Sequence, residues 1–121
     1  MSARSVRATF KNGLKVTLHL LNASLSHGEW TTNPPASIAP GGTGEWQSDS
    51  NGFMTGTEGT CTYQFVYIGE SEPTIQSVKL YWDNPFSGGN GYSITCSTPA
   101  IKVSWSEGNG DNATVHYTIG A

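Results

Sequence analysis

The sequence predicts an all-β fold: a single-domain antiparallel β-sandwich of about eight or nine strands. Three observations carry that prediction. Apolar residues recur at every second position over much of the chain. No long segment free of glycine and proline carries the 3.6-residue apolar stripe of a helix. Clusters of Gly, Pro, Asn and Asp separate the alternating segments at the short intervals typical of sandwiches. With 121 residues the chain is sized for one domain spanning residues 1–121 and not for two.

The elements follow in order. Val6, Ala8 and Phe10 alternate with Arg7 and Thr9, and Asn12-Gly13 then reads as a type I′ hairpin turn. The return strand places Val16, Leu18 and Leu20 on one face and Thr17 and His19 on the other. Asn33-Pro34-Pro35 and Pro40-Gly41-Gly42 punctuate the next region, followed by a short strand around Glu45-Trp46-Gln47. Cys61, Tyr63, Phe65 and Tyr67 share one face of a longer strand over residues 60–68. Val78, Leu80 and Trp82 alternate in a strand that ends at Asn84-Pro85. Tyr92, Ile94 and Cys96 follow a glycine-rich loop over residues 87–91. A closing hairpin joins Ile101-Val103-Trp105 to Val115-Tyr117-Ile119 through a turn over residues 107–111. By strand parity Phe10, Tyr63, Phe65, Tyr117 and Trp105 belong to the core.

Composition narrows the function. Charged residues make up only 12% and hydrophobic ones 36%, with small polar residues and 15 glycines filling the difference. Four Trp, five Tyr and four Phe are too many aromatics for a disordered chain. A net charge of −3 and a pI near 5.4 leave no basic footprint for nucleic acid or for anionic lipid. Arg4 and Arg7 have no apolar stretch behind them, so no secretory signal is expected and the protein reads as made in the cytoplasm. Cys61 and Cys96 could form one disulfide; without an export signal two free thiols are the expectation.

Chemistry is sparse. Among the acidic residues only Glu58 and Asp83, from distant segments, could form a catalytic carboxylate pair, and each reads more simply as a loop acid. His19, His27 and His116 lack zinc-site spacing, and neither a nucleophile elbow nor a phosphate loop is present. No metal, cofactor or enzymatic activity is expected. The aromatics say more: Trp30, Phe53, Phe86 and Tyr92 lie in or beside loops, where such rings suit a membrane interface, a quaternary ammonium or a sugar. Gly56-Thr57-Glu58-Gly59-Thr60 places one carboxylate between two glycines beside hydroxyls, open to hydrogen-bond donors or an ammonium.

Two blocks, residues 50–60 (Ser-Asn-Gly-Phe-Met-Thr-Gly-Thr-Glu-Gly-Thr) and residues 80–88 (Leu-Tyr-Trp-Asp-Asn-Pro-Phe-Ser-Gly), resemble the aegerolysins. The opening Met1-Ser2-Ala3-Arg4 and the closing residues 112–119 resemble the bacterial branch, which includes the small component of a binary insecticidal toxin. The resemblance implies a small acidic β-sandwich without a signal peptide. It would recognise membrane sphingolipids, such as ceramide phosphoethanolamine or sphingomyelin with cholesterol. It also implies a larger, often perforin-like, partner with which members form cytolytic, haemolytic or insecticidal pores. By the same resemblance Glu58 and its neighbour Thr57 lie at the headgroup site, and Tyr81, Trp82, Asp83 and Phe86 supply the membrane face, with Trp30 nearby. Leu25 stands where fungal members carry tryptophan, and Gly88-Gly89-Asn90-Gly91 replaces a lysine, changes that bear on lipid preference. Parity adds one qualification: Trp82 shares the face of Val78 and Leu80, which would leave Tyr81 and Phe86 to meet the lipid. A carbohydrate-binding sandwich is the alternative reading.

Overall fold

The computed structural model describes residues 3–121 as ten strands in two five-stranded sheets. The strands are β1 (Ser5–Asn12), β2 (Leu18–His27), β3 (Glu29–Thr32), β4 (Ser37–Ile38), β5 (Thr43–Asp49), β6 (Thr57–Tyr67), β7 (Thr74–Asn84), β8 (Gly91–Cys96), β9 (Lys102–Glu107) and β10 (Asn112–Gly120). One sheet has the order β3-β5-β1-β10-β9, the other β4-β2-β6-β7-β8. The all-β sandwich is as the sequence predicts, with two short strands more. β3 and β4 flank Asn33-Pro34-Pro35 at the sheet edges, where prolines are tolerated and little alternation is needed.

Two pairings differ from the expected hairpin ladder. β1 and β2 are not a hairpin, because the chain crosses between sheets after Asn12. Neither Asn12 nor Gly13 has the positive φ that a type I′ turn requires. Asn12 is instead fully buried: its Nδ2 donates to the carbonyls of Val16 (2.9 Å) and Ile38 (3.0 Å), and its Oδ1 accepts from the Leu14 N–H (3.0 Å). β1 pairs antiparallel with β5 on one side and parallel with β10 on the other. Every other strand pair is antiparallel, including the closing β9–β10 hairpin.

The core forms where the inward residues of both sheets meet. Val6, Ala8 and Phe10 of β1 and Val115, Tyr117 and Ile119 of β10 face Cys61, Tyr63 and Phe65 of β6 and Val78, Leu80 and Trp82 of β7. Trp46 lies at the centre, 5.7 Å from the Trp82 ring and stacked on Tyr117 at 6.2 Å. Such aromatic contacts add about 0.5–1.5 kcal/mol each beyond area burial. Trp105 departs from the core assignment. It points inward by register, opposite Tyr117, but β9 is an edge strand with incomplete cover, so Trp105 stays 43% exposed with its ring against Tyr92. Both cysteines are free. Cys61 on β6 and Cys96 on β8 are separated by β7, about two strand spacings and so beyond disulfide reach.

Candidate functional site

One end of the sandwich, where β6 begins and β7 stops, gathers most of the residues the sequence singled out. Glu58 lies directly opposite Asp83 across the β6–β7 ladder and opposite His27 across β2–β6, so the three stand abreast in one row. All three alternate away from the core, because Thr57, Gly59, Trp82 and Asn84 on either side are the inward residues. Tyr81, in the next row, donates its hydroxyl to Glu58 Oε2. Ser26 Oγ donates to Oε1 at 3.1 Å, and His27 Nε2 lies 3.9 Å from the same oxygen. With two hydroxyl donors, Glu58 is fixed in direction while its side chain keeps 27% of its exposure.

The electrostatics are those of crowded acids. Partial burial first, and then the negative charge of Glu58, push the Asp83 carboxyl above its ordinary 3.8, while His27 pulls it the other way. The Tyr81 phenol is pushed up as well, first by the hydrogen bond it gives Glu58, then by burial and by the charges of Asp83 and Glu58. It remains a neutral donor at any physiological pH. Among the described residues no three His, Cys, Asp or Glu side chains group to hold a metal ion.

An apolar rim stands beside this row. Phe53 is 90% exposed and Met54 57%, on the loop between β5 and β6. Met54 takes a left-handed φ of 56°, which a non-glycine residue adopts at a cost. Phe86, from the loop after β7, joins them. Met54 and Phe86 form the shared wall of two open depressions. One, of about 370 Å³, contains His27, Glu58 and Asp83. The other, of about 570 Å³, contains Glu29, Ser50, Asn51 and Phe53.

Not every expected residue is here. Trp82 is fully buried, its Nε1 donating to Ser48 Oγ at 3.0 Å, and Thr57 is fully buried with its hydroxyl on the same oxygen at 2.7 Å. Neither can touch a surface ligand as placed; they support the site from beneath, as the parity of Trp82 with Leu80 anticipates. Trp30 packs edge-on against Trp82 at 5.9 Å and is half-buried on β3, away from the carboxylates. Tyr81, Asp83, Glu58 and Phe86 do come together. The glycines flanking Glu58 serve packing rather than exposure. A Cβ on Gly59 would lie 2.5 Å from Leu25 Cδ2 and 2.7 Å from Trp82 Cζ2, and one on Gly56 would lie 2.5 Å from the Asn84 carbonyl. The sequence reading leaves out His27, Ser26, Met54 and Arg4 as site residues. Only Met54, adjacent to a loop aromatic, carried a signal in the chain itself.

A two-sheet sandwich with a carboxylate row and exposed apolar loops at one end places the chain among small single-domain β-sandwich proteins. This chain belongs to the aegerolysin family, whose model matches residues 3–121. A curated relative, an uncharacterized protein of Dictyostelium discoideum, is 28% identical over 95 residues, 78% of this chain, and the matched stretch is 8% of that much longer protein. Among solved structures, the lipid-binding protein Nakanori superposes with a TM-score of 0.78 at 14% identity, covering 100% of this chain and 73% of its own. RahU, solved with a Tris molecule, gives 0.73 at 19% identity, covering 99% of this chain and 96% of its own. At these identities the two structures establish the common fold.

Proposed function

We propose that the protein is a peripheral membrane-binding protein that recognises a sphingolipid headgroup at the Glu58–Asp83 end. One observation carries the reading: exposed Phe53 and Met54 project beside a carboxylate pair that, among the described residues, no Lys or Arg bridges, the His27 imidazole lying 3.9 Å from Glu58. Apolar side chains entering the interface and acids meeting an ammonium are complementary to a zwitterionic lipid surface and not to an anionic one. The family membership and the lipid-binding character of Nakanori support it. Within the sphingolipids the arrangement favours a primary ammonium, as in ceramide phosphoethanolamine, over choline. Carboxylates need N–H donors, and the Phe86 face that could cradle a quaternary ammonium already carries the Arg4 guanidinium at 4.9 Å.

The same reading extends to a lipid-recognition role in a two-component pore-forming cytolysin of the bacterial, binary-toxin kind, the protein acting on target-cell membranes after release. That role includes a larger partner to breach the membrane, since the described residues form ten strands and no amphipathic helix or long unpaired hairpin. With one end on the membrane, the far end of β6 and β7 presents exposed Val66, Ile68 and Ile75 outward, a surface suited to a protein contact.

Sedimentation with vesicles tests the proposal. Phosphatidylcholine vesicles containing ceramide phosphoethanolamine should bind and retain their dye, phosphatidylserine vesicles should not bind, and Glu58→Ala should weaken binding by about 1.5–3 kcal/mol. Tight, salt-sensitive binding to phosphatidylserine alone would overturn it, as would binding to a glycan array with no vesicle binding at all.

A further inference from the structure

Arg4 lies outside the carboxylate row, yet it touches more of the site's framework than any residue within it. Its backbone pairs both ways with Ser50, the Arg4 N–H donating to Ser50 Oγ (3.1 Å) and the Arg4 carbonyl accepting from the Ser50 N–H (2.8 Å). That ties it to the start of the loop bearing Phe53 and Met54. Its side chain then crosses to the other sheet. Nη2 donates to the Phe86 carbonyl (2.7 Å) and Nε to the Pro85 carbonyl (3.3 Å), and the guanidinium lies 4.9 Å from the Phe86 ring centroid. Asp111 Oδ1, 3.5 Å from Nε, completes the charge pairing. The Arg4 side chain is only 18% exposed while Asp111 is 70% exposed, so the carbonyl contacts hold the guanidinium more than the ion pair does.

Beside this grip, the backbone of Pro85 and Phe86 rests against Gly56, where a Cβ would lie 2.7 Å from Pro85 Cα and 2.9 Å from the Phe86 nitrogen. Gly88 and Gly89 form an exposed tip with open space where a Cβ would lie, before Gly91 pairs with Asp83 as the first residue of β8. Asn90 also anchors the loop, its Nδ2 donating to the Gly108 carbonyl at 2.8 Å and the Gly110 carbonyl at 3.0 Å. The guanidinium is suited to this task by geometry: a planar fork meets two successive carbonyls and stacks on a ring together, which an ammonium cannot do.

We infer that Arg4 is a positioning residue for membrane binding, locking the loop of Phe53 and Met54 and the loop of Phe86 into one apolar rim. This inference rests on the lipid-binding reading above. Arg4 acts through Phe86 and contacts no lipid itself.

The test compares wild type, Arg4→Lys, Phe86→Ala and the double variant on phosphatidylcholine vesicles containing ceramide phosphoethanolamine. Amide hydrogen exchange and thermal melting are followed on the same samples. Arg4→Lys preserves net charge, so a loss of binding cannot be a change in long-range electrostatics. Vesicle affinity should fall about tenfold, the scale of one charge-assisted hydrogen bond, with the melting point moved by no more than about 4 °C. Exchange should quicken at residues 50–56 and 85–91 and stay slow in β6 and β7. The double variant should bind no more weakly than Phe86→Ala alone. Arg4→Lys binding as well as wild type, or losses that simply add in the double variant, would overturn the inference and leave the lipid reading intact. Wild type binding no vesicle in the panel would overturn that reading, and the role of Arg4 with it.

Discussion

Glu58 and Asp83 sit opposite each other on adjacent strands with only an exposed imidazole to offset them, so the native fold holds two like charges closer than the unfolded chain does. The consequence is a specific pH dependence. Because the folded-state pKa of Asp83 is raised above 3.8, the native protein binds its proton more readily than the unfolded chain. Its contribution to stability is therefore complete below 3.8 and is lost as pH rises through the folded value. Asp83→Asn should accordingly raise the melting point at pH 7 and leave it unchanged at pH 3, by thermal melts at both. Solvent screening of this half-exposed group limits the gain to about 0.5 kcal/mol. The same variant should lose part of its vesicle binding at pH 7, since an amide cannot pair with an ammonium as a carboxylate does. Wild-type binding should weaken on acidification through that same raised pKa.

At the scale of elements, two buried asparagines fasten the ends of the strands. Asn84, the last residue of β7, shares the two hydrogens of its Nδ2 among the carbonyls of Ser5 (3.0 Å), Gly110 (3.2 Å) and Asp111 (2.8 Å), joining the second sheet to β1 and to the turn before β10. Asn84→Ala leaves those acceptors short of a donor and should cost about 2–4 kcal/mol by chemical denaturation. Much of this architecture was legible in the chain. β6, β7 and the β9–β10 hairpin were, because each alternates cleanly and ends in a turn signal. Asn12-Gly13 misled, because a local turn signature cannot reveal that the amide is needed by the distant Ile38 carbonyl. Glu58, Tyr81, Asp83 and Phe86 were legible through two short blocks of sequence. His27 and Arg4 were not, since their parts in the site arise from a β2–β6 register and an 82-residue separation from Phe86. Trp105 shows the limit of parity, which gives the face of a strand and not whether anything covers it.

The two ends of the molecule differ along its strands, with Glu58, Asp83, Phe53 and Met54 at one and Val66, Ile68 and Ile75, beside Glu70 and Glu72, at the other. Its net charge of −3 gives generic anionic membranes nothing to attract, so the proposed lipid binding rests on the chemistry of one end. The parallel ladder between β1 and β10 has a different kind of consequence, one felt during synthesis. Ser5 pairs with Asn112, 107 residues downstream, and β1 is the middle strand of its sheet. Until β10 has left the ribosome, Val6, Ala8 and Phe10 lack the neighbour beside which they are buried, and their strand keeps an open edge. Chains stalled before residue 112 should be digested readily by protease while still ribosome-bound, and chains released from the tunnel through residue 120 should resist it. Refolding in vitro should be correspondingly slow, on the timescale of folds dominated by non-local pairing.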